Sequence, residues 1–199
     1  MKKRSAIIKR KTRETDITVK LNIDGTGKAK IDTTVGILDH LLELFAFHGL
    51  FDLEIKARGD FKIGLHHTNE DIGIALGEAF KQALGKKVGI KRFGSASVPM
   101  EEVVATVTVD ISGRGYFNIS VPEVAISTEK GYAFKDAQHF FEAFAKHLGV
   151  NLNIKIEPVS PDLHTTLEPA FKALGLALDQ ATQIEPRRKG VPSTKGVID

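Results

Sequence analysis

The sequence predicts an α+β fold made of one half-domain copied in tandem, each copy a small sheet with two helices on one face and the helices forming a central layer. Three observations carry this expectation. Short segments alternate apolar and polar residues, as strands with one buried face do. Other segments carry a single apolar stripe at helical spacing. The order of these elements, together with many of their residues, occurs twice within 199 residues.

In chain order, Ile17, Val19, Leu21 and Ile23 alternate with Thr18, Lys20 and Asn22, which predicts a half-buried strand over residues 15–23. Asp24-Gly25 turns the chain, and residues 28–32 are expected to return beside that strand as a hairpin. Leu41, Leu42, Leu44 and Phe45 fall at helical spacing within residues 39–48, placing His40 and Glu43 near the start of a helix. Residues 51–57 alternate again, and 61–63 read as a short fourth extended piece. A helix then runs from about His67 to Leu84 and stops near Gly85, a residue suited to a C-terminal cap.

The second copy follows. Glu14, Val19, Ile23, Gly25 and Ile31 match Glu102, Val107, Ile111, Gly113 and Ile119 without a gap, so the expected hairpin recurs. His40, Glu43, Phe45, His48, Leu53 and Ile55 match His139, Glu142, Phe144, His147, Leu152 and Ile154, and Leu65, His66, Thr68, Glu70 and Gly77 match Leu163, His164, Thr166, Glu168 and Gly175. Gly94, Ser95 and Ser97 interrupt the pattern near residues 93–99. The expected division is therefore 1–93 for the first half, 94–185 for the second and 186–199 for a basic, Pro/Gly-rich tail, which composition alone predicts to be disordered.

Composition narrows the chemistry. With 42% hydrophobic residues the chain can bury a full core. It has no cysteine, so a transition-metal site must use imidazole and carboxylate. No segment approaches the roughly 20 apolar residues of a membrane span, and the basic start lacks the apolar run of a secretion signal, so a cytoplasmic protein is expected. A formal charge of +3 without aromatic-interleaved basic stripes argues against nucleic acid as a partner.

Five of the seven histidines, His40, His66, His67, His139 and His164, lie at corresponding places in the two halves beside Glu70 and Glu168. Each taken alone reads as a satisfied helix-end or core histidine. Together they suit first-row divalent ions, which need several imidazoles and carboxylates converging from separate elements. Adjacent histidines on a helix point about 100° apart, so His66 and His67 are expected to serve two ions rather than one. Approximate two-fold symmetry then gives one set of His40, His67 and Glu70 with His164 crossing over, and an image set of His139, Glu168 and Thr165 with His66 crossing back. His48 and His147 lie more than two turns along and are expected to pack or bind substrate.

At the level of whole strings the chain resembles the imidazoleglycerol-phosphate dehydratase family of histidine biosynthesis. The resemblance rests on Thr12-Arg13-Glu14-Thr15, Gly36-Ile37-Leu38-Asp39-His40, His48-Gly49-Leu50-Phe51-Asp52, His66-His67-Thr68-Asn69-Glu70-Asp71, Gly89-Ile90-Lys91-Arg92-Phe93-Gly94, Ser112-Gly113-Arg114, His139-Phe140-Phe141, Glu168-Pro169-Ala170-Phe171-Lys172 and Ser193-Thr194-Lys195-Gly196. It implies two four-stranded sheets flanking a four-helix layer, a homo-oligomer of 24 subunits with sites between subunits, and two manganese ions per site. The implied reaction removes water from imidazole glycerol phosphate to give imidazole acetol phosphate, the ring bridging the metals as imidazolate. Glu14 resembles the family's acid/base residue. Arg92, Arg114, Lys172, Ser193 and Lys195 resemble its phosphate-binding set, with His48 also toward substrate, and the tail at 193–196 would order over the substrate while 187–189 stay mobile.

The chain departs from that pattern in four places. Thr165 stands where the family has the second histidine of its second pair, which leaves that metal site to recruit water, to use the hydroxyl weakly or to stand empty. Leu163 replaces an acidic or polar residue, Gly64-Leu65 an acidic pair, and Leu44 a glutamine that contacts phosphate. A metal-linked structural or regulatory homologue with little turnover is the alternative to a working dehydratase.

Overall fold

The computed structural model describes residues 3–59 and 64–198. The expected fourth extended piece at 61–63 lies outside the described residues. In the first half, β1 (Ser5–Lys11), β2 (Thr15–Asn22), β3 (Ala29–Asp32) and β4 (Asp52–Gly59) form a sheet of order β1-β2-β4-β3. Helix α1 (Gly36–His48) lies between β3 and β4 in the chain, and α2 (His66–Leu84) follows. The second half repeats this with β5 (Phe93–Met100), β6 (Val103–Asp110), β7 (Tyr116–Ser120), α3 (Phe134–Leu148), β8 (Asn151–Ile156) and α4 (Leu163–Thr182), in a sheet of order β5-β6-β8-β7.

The duplication extends to register. Val19 and Ile31 both pair with Ile55, and their counterparts Val107 and Ile119 both pair with Ile154. Alternation in β2 buries Thr15, Ile17, Val19 and Leu21 and turns Asp16 and Lys20 outward. Helix α2 packs on β1 and β2, α4 packs on β5 and β6, and between the sheets α1 crosses α4 while α2 crosses α3. One core spans both halves. Phe45 and Phe80 of the first half meet Phe144 of the second at ring-centroid distances of 6.5 and 5.7 Å, edge to face.

Three elements differ from the sequence expectation. Residues 28–32 do not return beside β2 as a hairpin: β3 pairs with β4, in parallel. The Asp52 carboxylate at the start of β4 accepts from the backbone N–H of Thr26 at 2.8 Å and of Lys28 at 3.3 Å, and Leu53 N–H donates to Lys28 O at 2.8 Å, which draws the loop past β2. Gly25 makes this passage possible, since a Cβ there would lie 2.2 Å from Asp52 N. The partner of β2 is instead β1, a stretch expected only as a basic amino-terminal segment. As an edge strand it buries little beyond Ala6, and its Lys9, Arg10 and Lys11 blunt the edge. The interruption at 93–99 is likewise an edge strand, β5, whose small residues fit because a Cβ on Gly94 would meet Ala177 O at 1.9 Å.

Candidate active site

Two groups of imidazole and carboxylate arise where helices from opposite halves cross. Helices α1 and α4 approach closely at Gly175, where a Cβ would lie 2.5 Å from Phe45 O. Their amino-terminal turns therefore bring His40 and His164 together, with rings stacked 5.0 Å apart at 23°. His40 Nε2 lies 3.2 Å, and His164 Nε2 2.8 Å, from the same oxygen of Glu168, and the Lys172 ammonium donates to the other. Burial pushes the Glu168 pKa up, but the Lys172 hydrogen bond, the contacts with His40 and His164 and the Lys172 charge outweigh it and bring the pKa to about 2. The carboxylate is therefore anionic at neutral pH.

The duplicated crossing of α2 and α3 is as close, a Cβ on Gly77 falling 2.7 Å from Phe144 O. There His66, Glu70 and His139 line a cavity of about 350 Å³ with Glu142, Lys146 and His147. His66, Glu70 and His139 are the counterparts of His164, Glu168 and His40. Within one chain the groups thus divide differently from the symmetry reading: Glu168, not Glu70 with His67, joins His40 and His164. Histidine and glutamate four apart on one helix share a face, so each helix contributes both to the same crossing.

His67, about 100° further round α2, turns away from that cavity toward Glu14. Its Nδ1 lies 3.5 Å from Glu14 Oε2, on the turn between β1 and β2, and is a buried nitrogen with no hydrogen-bond partner. Thr165, its counterpart, donates its N–H and its hydroxyl to Asp162 Oδ1 at 2.8 Å each and so closes the start of α4. His147 Nδ1 lies 3.4 Å from Glu78. His48 is half-buried, and burial followed by the Lys172 charge lowers its pKa.

The donor set at the α1–α4 crossing suits a divalent cation. Ligand atoms of His40, His164 and Glu168 all lie within 4.8 Å of one another, two imidazole nitrogens and an anionic oxygen being the mixture such ions take in the absence of thiolate. Nδ1 of His67, which makes no hydrogen bond and faces Glu14, is a further imidazole nitrogen nearby.

A second, basic pocket of about 180 Å³ gathers Arg92, Ser112, Arg114, Ser193, Thr194 and Lys195. Four of the five residues that resemble a phosphate set are here, and Lys172 stands apart at Glu168. Arg92 has φ 79° and is clamped by two hydrogen bonds to Asp110, at 2.6 and 3.1 Å, while its Nη1 donates to Pro192 O at 2.9 Å. With Gly89 N–H donating to Gly190 O at 3.0 Å, this holds the tail against the body. Arg187 pairs with Glu185 two residues before it, its side chain 88% exposed. Ser112, Thr194 and Asp110 escaped the sequence reading, although the first two stand inside the strings Ser112-Gly113-Arg114 and Ser193-Thr194-Lys195. Glu129, 3.9 Å from His164 Nδ1, left no signal at all.

Comparison with known proteins agrees with this architecture. Residues 33–178 match the family model for imidazoleglycerol-phosphate dehydratase. Proteins of that name from Methanocella arvoryzae and Pelobacter propionicus are 53% and 51% identical, over 98% of this chain and 100% and 99% of theirs. The crystal structure of the Pyrococcus furiosus IGPD superposes with a TM-score of 0.81 at 39% identity, covering 96% of this chain and 99% of that one. No helix among the described residues is long and apolar enough to cross a membrane.

Proposed function

Because the chain belongs to the imidazoleglycerol-phosphate dehydratase family, we propose that the two basic and imidazole-rich regions above divide the dehydration of imidazole glycerol phosphate between them. The chain is a hydro-lyase of histidine biosynthesis. Arg92, Arg114, Ser193 and Lys195 hold the phosphate, their guanidinium forks, hydroxyl and ammonium matching a dianion. The tail that carries Ser193 and Lys195 closes that pocket and limits access of water to it. Lys172 and His48 stand together beside Glu168 and meet the more distant part of the substrate.

Glu14 moves the proton: its carboxylate takes one from the middle carbon of the glycerol chain and gives one to the hydroxyl that departs from the carbon next to the ring, and the enol that forms ketonises to the acetol. It sits on a turn facing His67, which keeps it beside the helix that bears His66 and Glu70. Manganese would be held by His40, His164 and Glu168 and by His66, Glu70 and His139, with His67 as an added imidazole. When bound, it supplies Lewis-acid stabilisation of charge on the substrate's imidazole. Each group offers three protein donors within one chain and leaves His67 outside, which supports completion by neighbouring copies in a homo-oligomer of 24 chains.

The observation that carries this reading is the duplicated histidine, histidine, glutamate triplet at both crossings. The test is manganese-dependent loss of imidazole glycerol phosphate by the purified protein. Turnover abolished in Glu14→Gln with metal retained is the expected result. Tight metal binding with no turnover in the unaltered protein would favour a structural or regulatory role.

A further inference from the structure

The turn that carries Glu14 is tied to α2 through a chain of hydrogen bonds whose directions are all determined. Backbone N–H groups of Glu14 and Thr15 donate to Thr12 Oγ1 at 3.1 and 3.0 Å. The Thr15 hydroxyl donates to Asp71 Oδ2 at 2.5 Å, because a carboxylate oxygen can only accept. That donation uses the only hydrogen of the Thr15 hydroxyl, so the 3.1 Å contact between the two threonines is Thr12 donating to Thr15. Arg10 Nε donates to the other Asp71 oxygen at 2.8 Å. Asp71 is 8% and Thr15 4% exposed, so the link between them is buried, where it is costly to break, and the chain reaches the surface at Thr12 and Glu14.

The second copy shows what the fold needs without this chain. Strand register places Val98, Met100 and Val103 where the first copy has Arg10, Thr12 and Thr15. Pro169 follows Glu168 where Asp71 follows Glu70. The same sheet, turn and helix therefore form with apolar residues at all four places. Val103 is fully buried.

We infer that Asp71 is a positioning residue for Glu14: through Thr15 and Thr12 it fixes the catalytic turn against the helix that carries His66, His67 and Glu70. The inference rests on the proton-transfer role of Glu14. Misplacing a reacting group by about 1 Å costs on the order of a hundredfold in rate; the backbone bond from Thr12 N–H to Thr15 O closes the turn, and the hydroxyls of Thr12 and Thr15 tie it to Asp71 on α2.

Thr15→Val in the assembled, manganese-loaded enzyme cuts the chain with the residue the second copy already carries. The expected result is a kcat lower by about tenfold to a hundredfold, with KM within about twofold and metal per chain and assembly size unchanged. Thr15→Ser, which keeps the hydroxyl, restores kcat. Asp71→Asn lowers kcat alike, and the double variant is no worse than the poorer single one, as expected for two links of one path. If Asp71→Asn does not fold, the Thr15 pair decides. Glu14→Gln is assayed beside them: if it turns over normally, the premise and the inference fall together. A dead Glu14→Gln beside a Thr15→Val of normal kcat overturns the positioning role alone, as does a loss explained by raised KM or lost metal.

Discussion

Gly175→Ala tests whether the crossing of α1 and α4 sets the geometry of the His40, His164 and Glu168 group. The added Cβ would lie 2.5 Å from Phe45 O and 3.0 Å from Gly49 N. Ordinary contact begins at 3.4 Å, so α4 must back away from α1 by about 1 Å. His40 Nε2 and Glu168 Oε2 sit on the two sides of that crossing at 3.2 Å, and a shift of that size takes them out of hydrogen-bond reach. Replacing a mid-helix glycine gains about 1 kcal/mol of helix propensity, while overpacking costs about 1–3 kcal/mol. Global stability therefore changes by no more than about 2 kcal/mol, but manganese affinity should drop by tenfold or more, about what lost ligand orientation costs. Isothermal titration with manganese and thermal unfolding of the metal-stripped protein separate the two effects. Gly36→Ala, with nothing within 4 Å of its Cβ, is the control. Unchanged manganese affinity in Gly175→Ala, with the substitution confirmed in folded protein, would refute the idea that the close crossing builds the site.

Other expectations follow from the same geometry. Four ligands sharing about 10–16 kcal/mol average about 2.5–4 kcal/mol each. Thr165→His, which gives up one exposed hydroxyl bond to Asp162 worth about 1 kcal/mol, should therefore tighten metal binding in the assembled protein; equal affinity and stoichiometry would show that position 165 faces no ion. The folded pKa of Glu168 lies below its ordinary value, 4.5, so its contribution to stability is present above pH 4.5 and is lost as pH falls toward about 2. Lys172→Met removes the hydrogen bond that opposes burial, raises that pKa and should move the acid-unfolding midpoint of the metal-free protein upward; an unmoved midpoint would mean the ammonium does not hold the carboxylate. Asp110→Asn loosens the clamp on Arg92 and should raise KM for the phosphorylated substrate more than it lowers kcat, and a normal KM would show that Arg92 is placed by its backbone instead.

The imidazole and carboxylate groups stand out in the sequence because copying preserved them: His40 with His139, His66 with His164 and Glu70 with Glu168 are repeated letters. How they divide was not legible, since that depends on which helices cross, and Gly77 and Gly175 appear in the repeat only as small residues. Similarly, β1 and β5 announce themselves poorly because Ala6 is the one buried side chain in β1 and β5 has none, and the parallel pairing of β3 is set by backbone donors to Asp52 together with the room that Gly25 leaves beside it.

Other residues of the proposed site obey the opposite rule, and internal repetition could not have found them. Arg114 falls on Thr26 in the first copy, and Lys172 on Ile74. The path from Asp71 to Glu14 falls on Pro169, Val103 and Met100 in the second. Glu102 keeps a carboxylate on the matching turn but has none of the bonds that fix Glu14. A symmetric pair of sites needs both copies to keep their imidazoles and carboxylates, whereas one substrate has a single phosphate and one proton-transfer face. Each copy is therefore free to differ where the other supplies the group, as Thr26 differs from Arg114 and Pro169 from Asp71.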